Sequence, residues 1–292
     1  MRLSGRLALV TGASWGIGEA TAKLLAREGA SVVLVARTQA RLEQVAADIR
    51  RAGGQAHAVP TDVGDAAAVS RAARHVTAEI GDPQIVVNSA GAGRFLFIDE
   101  TSPEELVQMT ALPYFAAFYV TKAFLPGMLG GEEGAIVNID SPASLFVWPG
   151  AIGYIAARWA LRGFSEALRA DLRGTGIRVV SVFPGKVLSH YDDVNIGADK
   201  RVPRVARVSR TLTSEEMAGA IVRGLKRNRR AIYAPLGVRL TAAQARLFPR
   251  LTNWVMARTG ASRADIDRAE VERSALGGAD RRPSGSRPRG AR

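Results

Sequence analysis

The segment that most restricts this chain is Thr11-Gly12-Ala13-Ser14-Trp15-Gly16-Ile17-Gly18. Before it, residues 7–10 form a short apolar run suited to a buried strand. After it, Gly16–Arg27 repeats apolar residues at helical spacing. A strand that must pass directly into a helix over three glycines has few backbone solutions. Gly12 permits the tight turn, Gly16 lets the backbone approach a bound group, and Gly18 lets the helix pack on the sheet. The amides that open such a helix, together with the positive end of its dipole, suit an anion and in particular a pyrophosphate. The plain alternative is a structural turn; a strand before and a helix after make the phosphate reading stronger.

The same alternation continues. Residues 31–35, 55–59, 85–87, 135–139 and 177–183 read as further strands, with helices between them, one of them over 41–51. Several of these runs are apolar throughout, as expected of strands covered on both faces. Ser102-Pro103-Glu104-Glu105 marks a helix start: a capping side chain, proline in the first turn, then acids at the positive end of the dipole. Repeated strand–helix units predict an α/β fold, a doubly wound parallel sheet of Rossmann type with helices on both faces. The pattern runs to about residue 235 and predicts a dinucleotide-binding and catalytic domain over 1–235. A helical extension over 236–262 follows, with an amphipathic stretch at 240–256 interrupted by Pro249. A basic tail over 263–292 ends in twelve residues with five arginines and no acid, rich in Pro, Gly and Ser, and is expected to be disordered.

Charge and composition narrow the chemistry. Forty basic against 27 acidic residues in a chain of 292 give a net charge of +13, which invites an anionic partner. Cysteine is absent, which excludes disulfides, thiolate metal sites and cysteine nucleophiles, and three histidines argue against a histidine-rich metal centre. No stretch reaches the roughly 18 uncharged apolar residues of a membrane span; the richest, 111–129, is interrupted by Lys122. The start of the chain reads as a strand and not as a secretory signal, so the cytoplasm is the expected location. Basic residues at Arg246, Arg250 and Arg258 leave peripheral membrane contact open. Nucleic acid is the minority reading, because the chain carries no base-reading motif and no aromatic platform. After the second strand, where a carboxylate would hold the ribose hydroxyls of NAD, the chain reads Ala36-Arg37-Thr38. Arg37 suits a 2′-phosphate instead, which favours NADP(H) over NAD(H).

These residues, with others along the chain, resemble the short-chain dehydrogenase/reductase family in its ordinary soluble form. The turn from Thr11 to Gly18 looks like its cofactor turn, with Gly12, Ser14, Trp15, Gly16, Ile17 and Gly18 as contacts. Asp62-Val63 matches the pair that lines the adenine, and Asn88-Ser89-Ala90-Gly91 its Asn-Asn-Ala-Gly motif, with Asn88, Ala90 and Gly91 carried over as cofactor-binding. Ser141 precedes Tyr154 by 13 residues, the family's catalytic spacing, and Pro184-Gly185 and Ser189 stand where the nicotinamide and its carboxamide are held. The resemblance covers roughly residues 5–235. It implies hydride transfer between nicotinamide and substrate carbon, with Tyr154 exchanging the proton and Ser141 bonding the substrate oxygen. It also implies a homo-dimer or homo-tetramer. An isolated phenol, with a pKa of about 10, needs a nearby cation to act near neutrality.

Two positions depart from the family. One helical turn after Tyr154 stands Arg158 instead of lysine. It keeps the charge but does not readily release a proton. Pro113 occupies the place of the asparagine that holds a relay water, and it removes a helical bond to the carbonyl of Met109. Two readings follow: turnover by an altered proton route, or dinucleotide binding without turnover, as in a pseudoenzyme or assembly protein. The retained Ser141 and Tyr154 favour turnover. Phe95-Leu96-Phe97 and Leu145-Phe146-Val147-Trp148 either flank a cleft for an apolar small-molecule substrate or pack into the core. The arginines of Lys200 to Arg210 read as a solvated face, with a phosphate-bearing acyl carrier as the alternative.

Overall fold

A computed structural model describes residues 1–188, 201–207 and 209–262. Its centre is a sheet of seven strands, all pairs parallel, in the order β3-β2-β1-β4-β5-β6-β9. The strands are β1 (Leu7–Thr11), β2 (Ser31–Ala36), β3 (Gln55–Pro60), β4 (Ile85–Asn88), β5 (Gly134–Ile139), β6 (Ile177–Pro184) and β9 (Ala231–Ala234). A small second sheet pairs β7 (Val187–Leu188) with β8 (Leu212–Thr213). The chain reverses its winding direction at β1, so β1 and β4 separate above the sheet and open a crevice at their carboxyl ends.

The strand pleat sorts the core into two layers. Ala8 and Val10 of β1 and Val32 and Leu34 of β2 face one cluster; Leu7, Leu9, Val33 and Val35 face the other. The first layer is closed by α1 (Gly16–Arg27), α2 (Gln39–Arg51) and α8 (Ser214–Lys226). The second is closed by α3 (Ala66–Glu79), α5 (Ala116–Leu129) and α6 (Ile152–Asp171). Both faces of β1, β4 and β5 are buried throughout, which explains the unbroken apolar runs in the sequence. The expected doubly wound architecture is therefore the observed one.

Three local outcomes differ from expectation. Helix α4 (Pro103–Thr110) starts as predicted, with Ser102 and Glu105 in a reciprocal capping box. Pro113 does not end the helical path; residues Ala111–Phe115 widen into one π turn that leads into α5. A wider turn accommodates the missing N–H without stopping the helix. The amphipathic stretch 240–256, expected to be interrupted by Pro249, starts earlier and is two helices, α9 (Leu236–Leu247) and α10 (Pro249–Thr259), because Phe248 leaves helical geometry ahead of Pro249. The edge strand β9 and the β7–β8 pair were not recognisable from apolar runs, being four and two residues long. A four-residue helix, α7 (Arg204–Arg207), completes the set. Among the described residues no helix is long and apolar enough to cross a membrane.

Candidate active site

The glycine turn takes the shape its spacing requires. Gly12 and Gly16 have φ of 64° and 60°, the left-handed region. A Cβ on Gly18 would lie 2.3 Å from the Gly12 carbonyl oxygen, so only glycine lets α1 begin this close to the turn. Trp15 stands at the N-cap of α1 and makes no side-chain cap. The turn is tied to the next loop through Thr11, whose hydroxyl accepts from the N–H groups of Ser89 and Ala90 at 3.0 and 3.1 Å. Gly12 is pressed against the backbone of Ala90, where a Cβ would come within 2.9 Å. Ser14, Gly16, Ile17, Gly91 and the residues around them thus form one rim above β1 and β4. At the root of that rim the Asn88 amide donates to Asn138 at 2.8 Å and to Thr121 at 3.3 Å, and Asn138 donates to Ser165 at 2.8 Å.

On the β2 side, Arg37 is exposed just past Ala36, next to the glycine turn through the Ala13–Val35 backbone bond. Arg41 was not anticipated. Its guanidinium lies 3.7 Å from the Trp15 ring centroid and donates to the Ser14 carbonyl at 3.2 Å and to Glu19 at 3.2 Å. Its Nε is buried with no partner among the described residues. The signal available was its position four residues after Arg37, at the opening of α2. Asp62 is exposed and accepts the Gly64 N–H at 2.9 Å, while Val63 is buried in the second layer. Pro184 and Gly185 sit at the end of β6, with the Gly185 N–H donating to Ala234 at 2.7 Å. Ser189 and Lys200, with every residue between them, lie outside the described residues.

The expected catalytic trio is brought together at the end of β5. Ser141 follows Asp140 off the strand and is buried; its hydroxyl accepts the Ala143 N–H at 3.2 Å and caps a short turn at Pro142. Tyr154 is buried in the first turn of α6, its ring 5.0 Å from that of Phe95. Gly93 makes room for it: a Cβ there would lie 2.5 Å from Tyr154 Cδ2. Arg158, one turn on, is only 6% exposed. It donates to the Ile139 carbonyl at 2.9 Å, its guanidinium carbon is 5.0 Å from the Tyr154 ring centroid, and its Nη2 abuts Gly91. The arginine therefore bridges the loops after β4 and β5 and puts its charge beside the phenol ring.

Asp140 is the residue the sequence reading missed. Its carboxylate accepts the Ser141 N–H at 2.8 Å and the Ser144 hydroxyl at 2.9 Å. Burial pushes its pKa up to about 7, against the pull of Arg158, the two hydrogen bonds and Arg162. Arg162, a turn beyond Arg158, donates to the Ser144 carbonyl at 2.6 Å. The signal was a carboxylate placed directly after the strand run 135–139 and directly before the candidate serine.

The aromatic segments divide between the two roles expected of them. Leu96, Phe97 and Phe146 are core, whereas Phe95 and Trp148 pack on the Tyr154 cluster and Val147 is exposed. The Trp148 indole N–H is buried without a partner among the described residues. A cavity of about 450 Å³ lies nearby, lined by Val147, Trp148, Ile152, Ile155 and Trp159. It is on the face of α6 away from Tyr154 and Arg158, so it is not the catalytic cleft. Arg201 is not on a solvated face: it is buried over Phe97 and pairs with both oxygens of Glu100. Burial would push Glu100 up, but bonds from Arg201 and the Phe97 N–H hold it below the usual range. Arg204 and Arg207 remain exposed, and Arg210 pairs with Glu216.

A family model described as short chain dehydrogenase matches residues 6–196. The chain belongs to this family. Among curated relatives of this dehydrogenase, estradiol 17-beta-dehydrogenase 11 of Rattus norvegicus is 30% identical over 250 residues, 85% of this chain and 81% of its own. A fatty acyl-CoA reductase of Acinetobacter baylyi is 31% identical over 261 residues, 87% of this chain and 84% of its own. Among solved structures, an alcohol dehydrogenase of Thermococcus sibiricus complexed with 5-hydroxy-NADP aligns with a TM-score of 0.68 at 28% identity, covering 78% of this chain and 94% of that one. The dehydrogenase described here is accordingly an NAD(P)-dependent oxidoreductase.

Proposed function

We propose that this dehydrogenase interconverts a carbonyl and an alcohol on an apolar substrate and takes NADP(H). The observation that carries the reading is the convergence of Ser141, Tyr154 and a buried Arg158 at the end of β5, facing the glycine rim. The rim fits a dinucleotide. Gly12 and Gly16 hold left-handed backbone, Gly18 has no room for a Cβ against the Gly12 carbonyl, and no side chain caps the opening turn of α1. Arg37, with no carboxylate beside it at the end of β2, supports the 2′-phosphate form. Ser14, Trp15, Ile17, Asp62, Val63, Asn88, Ala90, Gly91, Pro184, Gly185 and Ser189 are the remaining proposed contacts.

When bound, the nicotinamide supplies or accepts the hydride. The chain's own residues handle the oxygen. The Ser141 hydroxyl donates to the carbonyl oxygen and orients it. The Tyr154 hydroxyl delivers the proton in reduction and takes it in oxidation. Arg158 sets a permanent positive charge beside the ring from which that proton leaves. Because guanidinium does not give up a proton, the tyrosine must be recharged by another route, and the Pro113 position offers no side chain for it. Asp140, directly beside Ser141 and with its pKa pushed up to about 7 by burial, is a group that can hold a proton there. Phe95 and Trp148 give the cleft its apolar wall. Exposed Phe115 at the end of the π turn, Phe118 on α5 and Trp159 on α6 support a homo-oligomer.

The test is NADPH oxidation with a panel of apolar aldehydes and ketones, run beside NADH. Turnover with a preference for NADPH supports the reading. Tight cofactor binding without turnover of any member would return the pseudoenzyme reading.

A further inference from the structure

The helical pair α9–α10 is held to the body by one side only. Val238 and Ala245 of α9 and Thr252 and Met256 of α10 are buried, and Ala245 and Met256 pack on Phe146 beside Leu145 and Trp148. Asn253 accepts the Val147 N–H at 3.3 Å, and Gly260 abuts Pro149. The rest of the pair presents large apolar side chains to solvent. Leu247 and Phe248, at the corner between the helices, are 71% and 59% exposed, and Leu236, Leu240, Leu251 and Trp254 are each more than half exposed. Among the described residues, six of the 18 exposed large apolar ones fall within these 19 positions, a concentration that scattered surface residues do not produce.

The charge of the pair is one-sided as well. Arg239, Arg246, Arg250 and Arg258 are all exposed, and 236–262 contains no aspartate or glutamate. Arg246 and Arg250 flank the Leu247–Phe248 corner in sequence, and the Arg258 guanidinium lies 6.0 Å from the Trp254 ring centroid. An apolar corner between arginines, with a tryptophan nearby, has the chemistry of a segment that enters the headgroup region of a bilayer. The apolar side chains leave water, the indole sits at the boundary, and the guanidinium groups meet lipid phosphates.

We propose that the α9–α10 pair docks on an anionic lipid surface, with the Leu247–Phe248 corner inserted. A second copy of the chain fits the face less well. A two-fold contact would bring four unneutralised arginines onto four others. Nucleic acid would answer the charge but leave the apolar corner in water. The docked face adjoins residues 145–149, the segment that carries Trp148, so a lipid surface would lie beside the entrance used by an apolar substrate. The docking itself does not depend on turnover.

The experiment is flotation of the full-length protein with vesicles of phosphatidylglycerol and phosphatidylcholine, or of phosphatidylcholine alone. Quenching of tryptophan by brominated acyl chains is read in parallel. Leu247→Ser with Phe248→Ser keeps every charge, including the basic tail, and alters only solvent-facing side chains. Arg246→Glu with Arg250→Glu tests the charge. The proposal expects binding to the anionic vesicles, at least tenfold weaker on phosphatidylcholine alone and in either variant, with quenching lost in Trp254→Phe. It is overturned by no binding to anionic vesicles. It is also overturned by binding undiminished in Leu247→Ser with Phe248→Ser, which would assign the affinity to the tail. Self-association that the same variant abolishes, without lipid binding, would assign the face to a second copy instead.

Discussion

Asp140 carries a stability cost that depends on pH, and Asp140→Asn should remove it. The buried carboxyl has its pKa raised from 3.8 to about 7. The folded state therefore binds a proton that the unfolded state has released between these values, and stability falls as pH rises through that window. The cost is absent near pH 3.8 and complete above about pH 7. The gap corresponds to about 4 kcal/mol. Asparagine has the shape of the protonated acid and can still accept the Ser141 N–H and face the Ser144 hydroxyl. The variant should exceed the wild type in urea unfolding by only about 1 kcal/mol near pH 4.5 and by about 4 kcal/mol at pH 8, the attraction to Arg158 being already contained in the pKa of about 7. A difference that is the same at both pH values would refute the reasoning, because it would mean that the Asp140 carboxyl does not titrate between them. If the same proton recharges Tyr154, the rate profile of the wild type should bend near pH 7 and that bend should vanish in the variant.

Three further outcomes follow from distances in the site. Gly93→Ala puts a methyl 2.5 Å from Tyr154 Cδ2 and should lower kcat at least tenfold while leaving cofactor binding near wild type; unchanged kcat would show that the ring has room to shift. Arg37→Ala should raise KM for NADPH by about 10- to 100-fold, the worth of a charged hydrogen bond, and leave NADH unaffected; equal effects on both cofactors would remove Arg37 from the phosphate site. Trp148→Phe keeps the apolar wall but deletes the unpartnered indole N–H. It should raise KM for substrates carrying a second oxygen by about three- to tenfold with kcat unchanged, and no change would place that N–H outside the cleft.

Much of this molecule can be read from its sequence because parallel strands buried on both faces write long apolar runs. Helix α1 was predicted over the same residues that form it, and β1 to β6 within a residue at either end. What escaped is short or relational. β9 has four residues and gains its place from pairing with β6, which no local pattern announces. Pro113 implied one lost helical bond, to the Met109 carbonyl, but not the π turn that carries the chain past it into α5. In the site, Ser141 and Tyr154 were singled out because their 13-residue spacing resembles the family's, and Arg158 because it stands one helical turn after Tyr154. Asp140 and Arg41 matter through burial or through partners far along the chain, so their positions, beside Ser141 and four residues after Arg37, did not by themselves assign them a role. Arg201, the second residue of the basic stretch 200–210, became a buried partner of Glu100 across 101 residues.

The central claim is that Tyr154 exchanges the proton in an NADP(H)-dependent carbonyl–alcohol interconversion. Its most direct test is single-turnover oxidation of NADPH by a saturating apolar ketone or aldehyde, wild type against Tyr154→Phe, with cofactor affinity measured separately by fluorescence. The account predicts a rate lower by about 10²- to 10⁴-fold in the variant at unchanged cofactor affinity. Equal rates in the two proteins would contradict it.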